Sequence, residues 1–68
     1  MKTYIVLKDM NSEIIYNVNK NTKQPTLEEL NENIIPLRFL HAEQANKYAS
    51  ENELHYAFPV GVTSYENE

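Results

Sequence analysis

The residues of this 68-residue chain best suited to chemistry are two histidines, His41 and His55, and the carboxylates Glu28, Glu29 and Glu32. Imidazole binds metals and moves protons near neutral pH. Grouped carboxylates do acid–base work or hold a hard cation. Each role needs groups that converge, and the spacing works against convergence. His41 opens an expected helix over 41–52, and His55 opens the strand after it. A helix of that length spans about 18 Å, so the two imidazoles are expected at opposite ends. The carboxylates fall on a second expected helix, where capping and the helix dipole account for them. Ser12, Ser50 and Ser64 fall in a turn, a helix end and a tail, with no Gly-x-Ser-x-Gly elbow. Gly61 is the one glycine, which excludes a glycine-rich phosphate cradle. No catalytic, cofactor-binding or metal site is expected, and the chain reads as a non-enzyme.

Composition narrows the class further. At 68 residues the chain has room for a single domain, 1–68, with a small core and marginal stability. It has no cysteine, hence no disulfide and no thiolate metal site. Six basic residues stand against ten acidic ones, a net charge of −4. That balance disfavours nucleic acid and anionic membranes, because both demand a cationic surface. No apolar run is long enough to span a bilayer. The first residues turn charged quickly and show no small-residue cleavage site, so a signal peptide is not expected and a cytoplasmic protein is.

The elements follow from the pattern. Residues 3–18 read as an N-terminal hairpin around Asp9-Met10-Asn11-Ser12, with Lys8 opposite Glu13. Leu7, Ile14, Ile5, Tyr16, Thr3 and Val18 then share one face. Residues 26–33 read as a short helix, capped by Thr26 with Glu29 three positions on and stopped before Pro36. Residues 35–60 read as a strand–helix–strand unit. Its helix carries Ala42, Ala45 and Ala49 on one stripe, and its last strand turns Leu54, Tyr56, Phe58 and Val60 to the core. The run Phe39-x-x-Ala42 through Leu54-x-Tyr56 resembles a helix-to-strand unit common in small α+β domains, which implies packing and no activity. Gly61 marks the exit, and 62–68 reads as a polar tail. The expected fold is α+β, in the order β-β-α-β-α-β. A four-stranded mixed sheet would carry both helices on one face, with a parallel crossover through the second helix.

If helices cover one face of that sheet, the other carries Tyr4, Val6, Ile15, Arg38 and His55, with Ala57 beside them. An aromatic, two aliphatics and two potential cations make an unusual exposed surface for so small a protein. These five are the candidate partner-binding residues. The expected function is a small binding or regulatory module acting through protein–protein contact. The alternatives are a self-associating homodimeric domain and a single-stranded nucleic-acid binder using Tyr4 as a stacking platform. No cofactor is expected.

Overall fold

Strand β1, Lys2–Asp9, runs through the middle of the molecule. Its centre, Tyr4-Ile5-Val6-Leu7, is a continuous apolar run, the pattern of a strand covered on both faces. Leu7 is fully buried and Val6 nearly so, on opposite faces. The structure, a computed structural model, describes residues 2–64. After β1 come β2 (Asn17–Asn19), β3 (Pro25–Thr26), β4 (Ile34–Pro36), helix α1 (Ala42–Glu51) and β5 (Ala57–Ser64). β1 pairs antiparallel with β5 over its full length, from Lys2 opposite Ser64 to Asp9 opposite Ala57. A second antiparallel sheet has the order β3-β2-β4.

The two sheets meet along the other edge of β1. Ile5 exchanges both backbone hydrogen bonds with Phe39, each 2.8 Å. Two residues on, the Leu7 carbonyl accepts from the Tyr16 N–H, and the Asp9 N–H donates to the Ile14 carbonyl. One arm of a ribbon therefore leaves β1 after Tyr16, as β2. The other arm, β4, returns to it at Phe39. Both Phe39 and β5 run antiparallel to β1, from opposite sides. The strand–helix–strand unit thus crosses over β1, and its two strands are not neighbours.

Helix α1 lies on the face of β1 and β5 that carries Leu7. Ala45 and Ala49 are buried against Leu7, with Ile5, Tyr16, Phe39, Tyr48, Leu54 and Ala57 packed round them. Methyl-sized side chains at Ala45 and Ala49 let the helix approach the sheet closely, as expected, while Ala42, the third of the expected stripe, is exposed. Gln44 closes the N-terminus, its Oε1 accepting from the Leu40 and His41 N–H groups at 3.2 and 3.3 Å. At the C-terminus the Leu54 N–H donates to the Ala49 carbonyl and the Glu53 N–H to that of Ser50. This is a Schellman motif, with Glu53 at φ 57° in the left-handed position usually given to glycine.

The expected four-stranded mixed sheet with two helices is corrected to one helix and two small antiparallel sheets. The segment expected as helix 26–33 instead supplies β3 and a run of bends. Local side-chain bonds outcompete helix there. Thr26 Oγ1 accepts from the Glu28 N–H, and Asn31 Oδ1 accepts from the Asn33 and Ile34 N–H groups. A helix of two turns has too little length to offset its nucleation cost. The strand expected over 35–40 is divided: Ile34–Pro36 pairs with β2, and only Phe39 bridges to β1.

The N-terminal hairpin bends where expected but in another register. Lys8 faces Ile15, two residues beyond the expected Glu13, and the arms separate after Tyr16. A shift of two leaves every side chain on its expected face. The last strand begins at Ala57, three residues later than expected, and its faces are the reverse of those expected. Its pairing sets Phe58, Val60 and Val62 on the side of Lys8, Val6 and Tyr4, and turns Ala57, Pro59 and Gly61 toward the helix side. Small residues suit the side on which α1 packs. The strand also runs through Gly61 and on to Ser64, into the expected tail. The remainder of that tail, 65–68, lies outside the described residues.

Candidate partner-binding groove

The face of β1 turned away from α1 is not flat. Where the ribbon branches from the β1 edge, a groove of about 240 Å³ opens. Tyr4 and Val6 form its floor from β1, and Val62 borders it from β5. Ile15 and Asn17 line it from the departing arm, and Pro36, Leu37 and Arg38 from the returning one. Leu30, from the bends between β3 and β4, closes it at the side. Most of this lining is aliphatic. Leu30 and Ile15 are exposed, at 56% and 42%, so the groove presents apolar surface to solvent.

Local chemistry fixes its shape. The turns at either end of the first arm are locked by side-chain hydrogen bonds. In one, Asp9 Oδ2 accepts from the Asn11 and Ser12 N–H groups and the Ser12 hydroxyl, at 3.2, 2.8 and 2.9 Å. In the other, Asn19 Oδ1 accepts from the Asn21 and Thr22 N–H groups. The side of the groove is tied down by Asn17, whose Nδ2 donates to the Glu28 carbonyl at 2.9 Å. That bond places the segment carrying Glu28 beside the groove.

Electrostatically the site centres on Arg38. Its guanidinium carbon lies 4.4 Å from the centroid of the Tyr4 ring, a cation–π arrangement. Arg38 is otherwise exposed, so the edge of its planar fork is open to a ligand. Strand alternation puts Lys2 and Lys8 on the same face of β1 as Tyr4 and Val6. Three of the chain's six basic residues thus share one face of an acidic protein.

Four of the five candidate residues, Tyr4, Val6, Ile15 and Arg38, line this one groove. His55 does not. It is exposed in the turn between α1 and β5. His41 sits at the N-cap of α1. Among the described residues no group of three or more His, Asp or Glu side chains is placed to hold a metal ion. Glu28 bends back on Thr26, whose hydroxyl donates to its Oε2 at 3.1 Å. The reading from sequence did not include Asn17, Leu30, Pro36, Leu37 or Val62. Leu30 falls in the segment expected as helix 26–33, and Val62 in the expected tail. The alternation Phe58-x-Val60-x-Val62 was the available signal, since a period of two running past Gly61 marks a longer strand.

Asp9 and Tyr16 lie on the helix side of β1, where the Tyr16 hydroxyl donates to Asp9 Oδ1 at 3.4 Å. The Ser12 backbone and side chain hold the Asp9 carboxyl below its ordinary value, against the opposing effect of burial, with help from Asn11 and Tyr16. Burial pushes the Tyr16 phenol up, and the Asp9 charge adds to this. The chain matches no protein-family model, no curated protein and no solved structure.

Proposed function

We propose that this chain is a small, non-enzymatic binding or regulatory module that acts through protein–protein contact in the cytoplasm, using the groove. The observation that carries the reading is the groove itself: aliphatic side chains from both sheets surround a pocket with a single guanidinium at its mouth. Apolar surface rimmed by polar groups marks interaction sites on small proteins. Tyr, Arg and aliphatic anchors in a concave site are the composition of interface centres. The nucleic-acid alternative loses support from the same geometry. Arg38 already covers one face of the Tyr4 ring, the surface a base would stack on. No helix among the described residues is long and apolar enough to cross a membrane.

A photo-reactive benzoylphenylalanine at Leu30 tests the reading, with the same group at Lys47 on α1 as control. Irradiation in the producing cells should give a defined protein adduct from the Leu30 site and none from the Lys47 site. Equal adducts from both, or none from Leu30, would sink the reading. An adduct of twice the chain's own mass identifies self-association. That second reading has its own support in β5, whose outer edge has no strand paired to it among the described residues.

A further inference from the structure

The groove's charge and shape together specify what kind of segment fits it. We infer that it takes an acidic-apolar peptide: a short segment of a partner with aliphatic or aromatic side chains beside an Asp or Glu. The inference rests on the protein-contact reading above and names the partner's chemistry. The apolar walls supplied by Ile15, Leu30 and Leu37 take the hydrophobic side chains. The guanidinium of Arg38 takes the carboxylate. Its stacking on Tyr4 at 4.4 Å limits its freedom before a ligand arrives, so less entropy is lost on binding. A planar fork bonds a carboxylate with two parallel N–H···O contacts, which an isosteric amide cannot fully replace. Lys2 and Lys8, on the same face of β1, extend the attraction to further acidic residues of the segment. The bends that carry Glu28 and Leu30 border one side only, so a bound carboxylate is expected at the Arg38 end.

The test uses the full chain and two synthetic probes. One is a labelled, blocked octapeptide alternating Asp with Leu and Phe; the other has Asn in place of each Asp. Fluorescence anisotropy at low and high salt gives affinities, and amide chemical shifts give the location. The Asp peptide should bind roughly tenfold or more tightly than the Asn peptide, with shifts at Tyr4, Ile15 and Arg38. High salt should narrow the gap. Arg38→Gln should weaken the Asp peptide far more than the Asn peptide and so erase most of the difference. Ile15→Asp should weaken both peptides, and the unchanged amide spectrum away from the groove shows that it folds. If both peptides bind equally in the groove, the acidic preference is wrong and the protein-contact reading stands. If neither binds while the Leu30 cross-link appears, the peptide chemistry is again wrong and the contact reading again survives. Shifts confined to regions outside the groove overturn both. Preferential binding of a labelled oligothymidylate overturns both in favour of nucleic acid.

Discussion

Among the described residues Asp9 is the side chain with the most hydrogen-bond partners: two backbone N–H groups, the Ser12 hydroxyl and a long 3.4 Å contact from Tyr16. These stabilise its anion, so its pKa falls on folding. A depressed pKa means the unfolded chain binds the proton more readily. The contribution is complete above the unfolded value, about 3.9, and is lost as pH falls through the folded one. Urea midpoints should therefore decline below about pH 4 in the native chain. They should start lower at neutral pH and decline less in Asp9→Asn. Parallel pH profiles for the two would refute the assignment. Tyr16 and Tyr48 act at the other limit. Burial raises both phenols, with the Asp9 charge adding to the shift at Tyr16. Their contribution is complete below about pH 10 and is lost as pH rises through the folded values. Tyr48 carries a further cost. Its hydroxyl is buried with no partner among the described residues, while its ring packs on Phe39 at 5.5 Å. Tyr48→Phe keeps the ring and removes the orphaned hydroxyl. It should be neutral or stabilise by up to about 1 kcal/mol in urea unfolding. A loss larger than about 1 kcal/mol would show that the hydroxyl is bonded in solution.

Two turns of the chain are built alike. In each, an Asx side chain accepts from the N–H groups two and three residues on, at Asp9 and at Asn19. In each, a hydroxyl, from Ser12 or Thr22, accepts from the N–H two residues later at 3.3 Å. In each, the residue after the hydroxyl is left-handed: Glu13 at φ 62° and Lys23 at φ 63°. Both then donate back to the residue that opened the turn. The sequences Asp9-Met10-Asn11-Ser12-Glu13 and Asn19-Lys20-Asn21-Thr22-Lys23 share Asx, Asn and hydroxyl positions, which is why they fold alike. A non-glycine residue in the left-handed region costs about 1–2 kcal/mol. Glu13→Gly, Lys23→Gly and Glu53→Gly should each raise thermal stability, by about 0.5–1 kcal/mol once glycine's own entropy is counted. No gain at any of the three would show that the native backbone differs from this one. Turn chemistry of this kind was legible from composition at Asp9. At Asn19–Gln24 the sequence is polar without periodicity, which indicates a loop and no particular turn. The helix α1 was legible because its alanine stripe agrees with its caps. The segment 26–33 was misleading because a capping box and two leucines indicate helix, while Thr26 and Asn31 bond to nearer backbone groups. Pattern alone does not say which of two local hydrogen-bonding schemes wins.

At the scale of the whole molecule, five apolar side chains are buried among the described residues: Val6, Leu7, Ile34, Ala45 and Ala49. They do not form one cluster. Leu7, Ala45 and Ala49 pack together under α1, while Val6 and Ile34 belong to neither side of that contact. The lining of the groove was legible in Tyr4, Val6, Ile15 and Arg38. The branch that makes it concave was not, since it depends on where β1 exchanges one arm of the ribbon for the other. That geometry divides the molecule into parts of unequal stability. β1, β5 and α1 share the larger cluster and an eight-residue ladder. The β3-β2-β4 ribbon has pairings of two and three residues and a single buried side chain, Ile34. Leu7→Ala should cost about 2–5 kcal/mol, against a total near the low end of the usual 5–15, and so unfold much of the population. Ile34→Ala removes a comparable volume from the ribbon alone. Native-state hydrogen exchange should then separate the two. In the native chain, amides of the ribbon at Val18 and Asn19 should exchange through a lower-energy opening than those of Val6 and Lys8. Ile34→Ala should accelerate the ribbon amides by at least tenfold while leaving the β1–β5 ladder close to its native rate. If both sets accelerate together, the molecule opens as one unit and the ribbon is as firm as the strand from which it branches. A ribbon that opens first would set the groove's outer wall in motion independently of its floor. Ligand affinity would then respond to Ile34→Ala, although Ile34 does not line the groove.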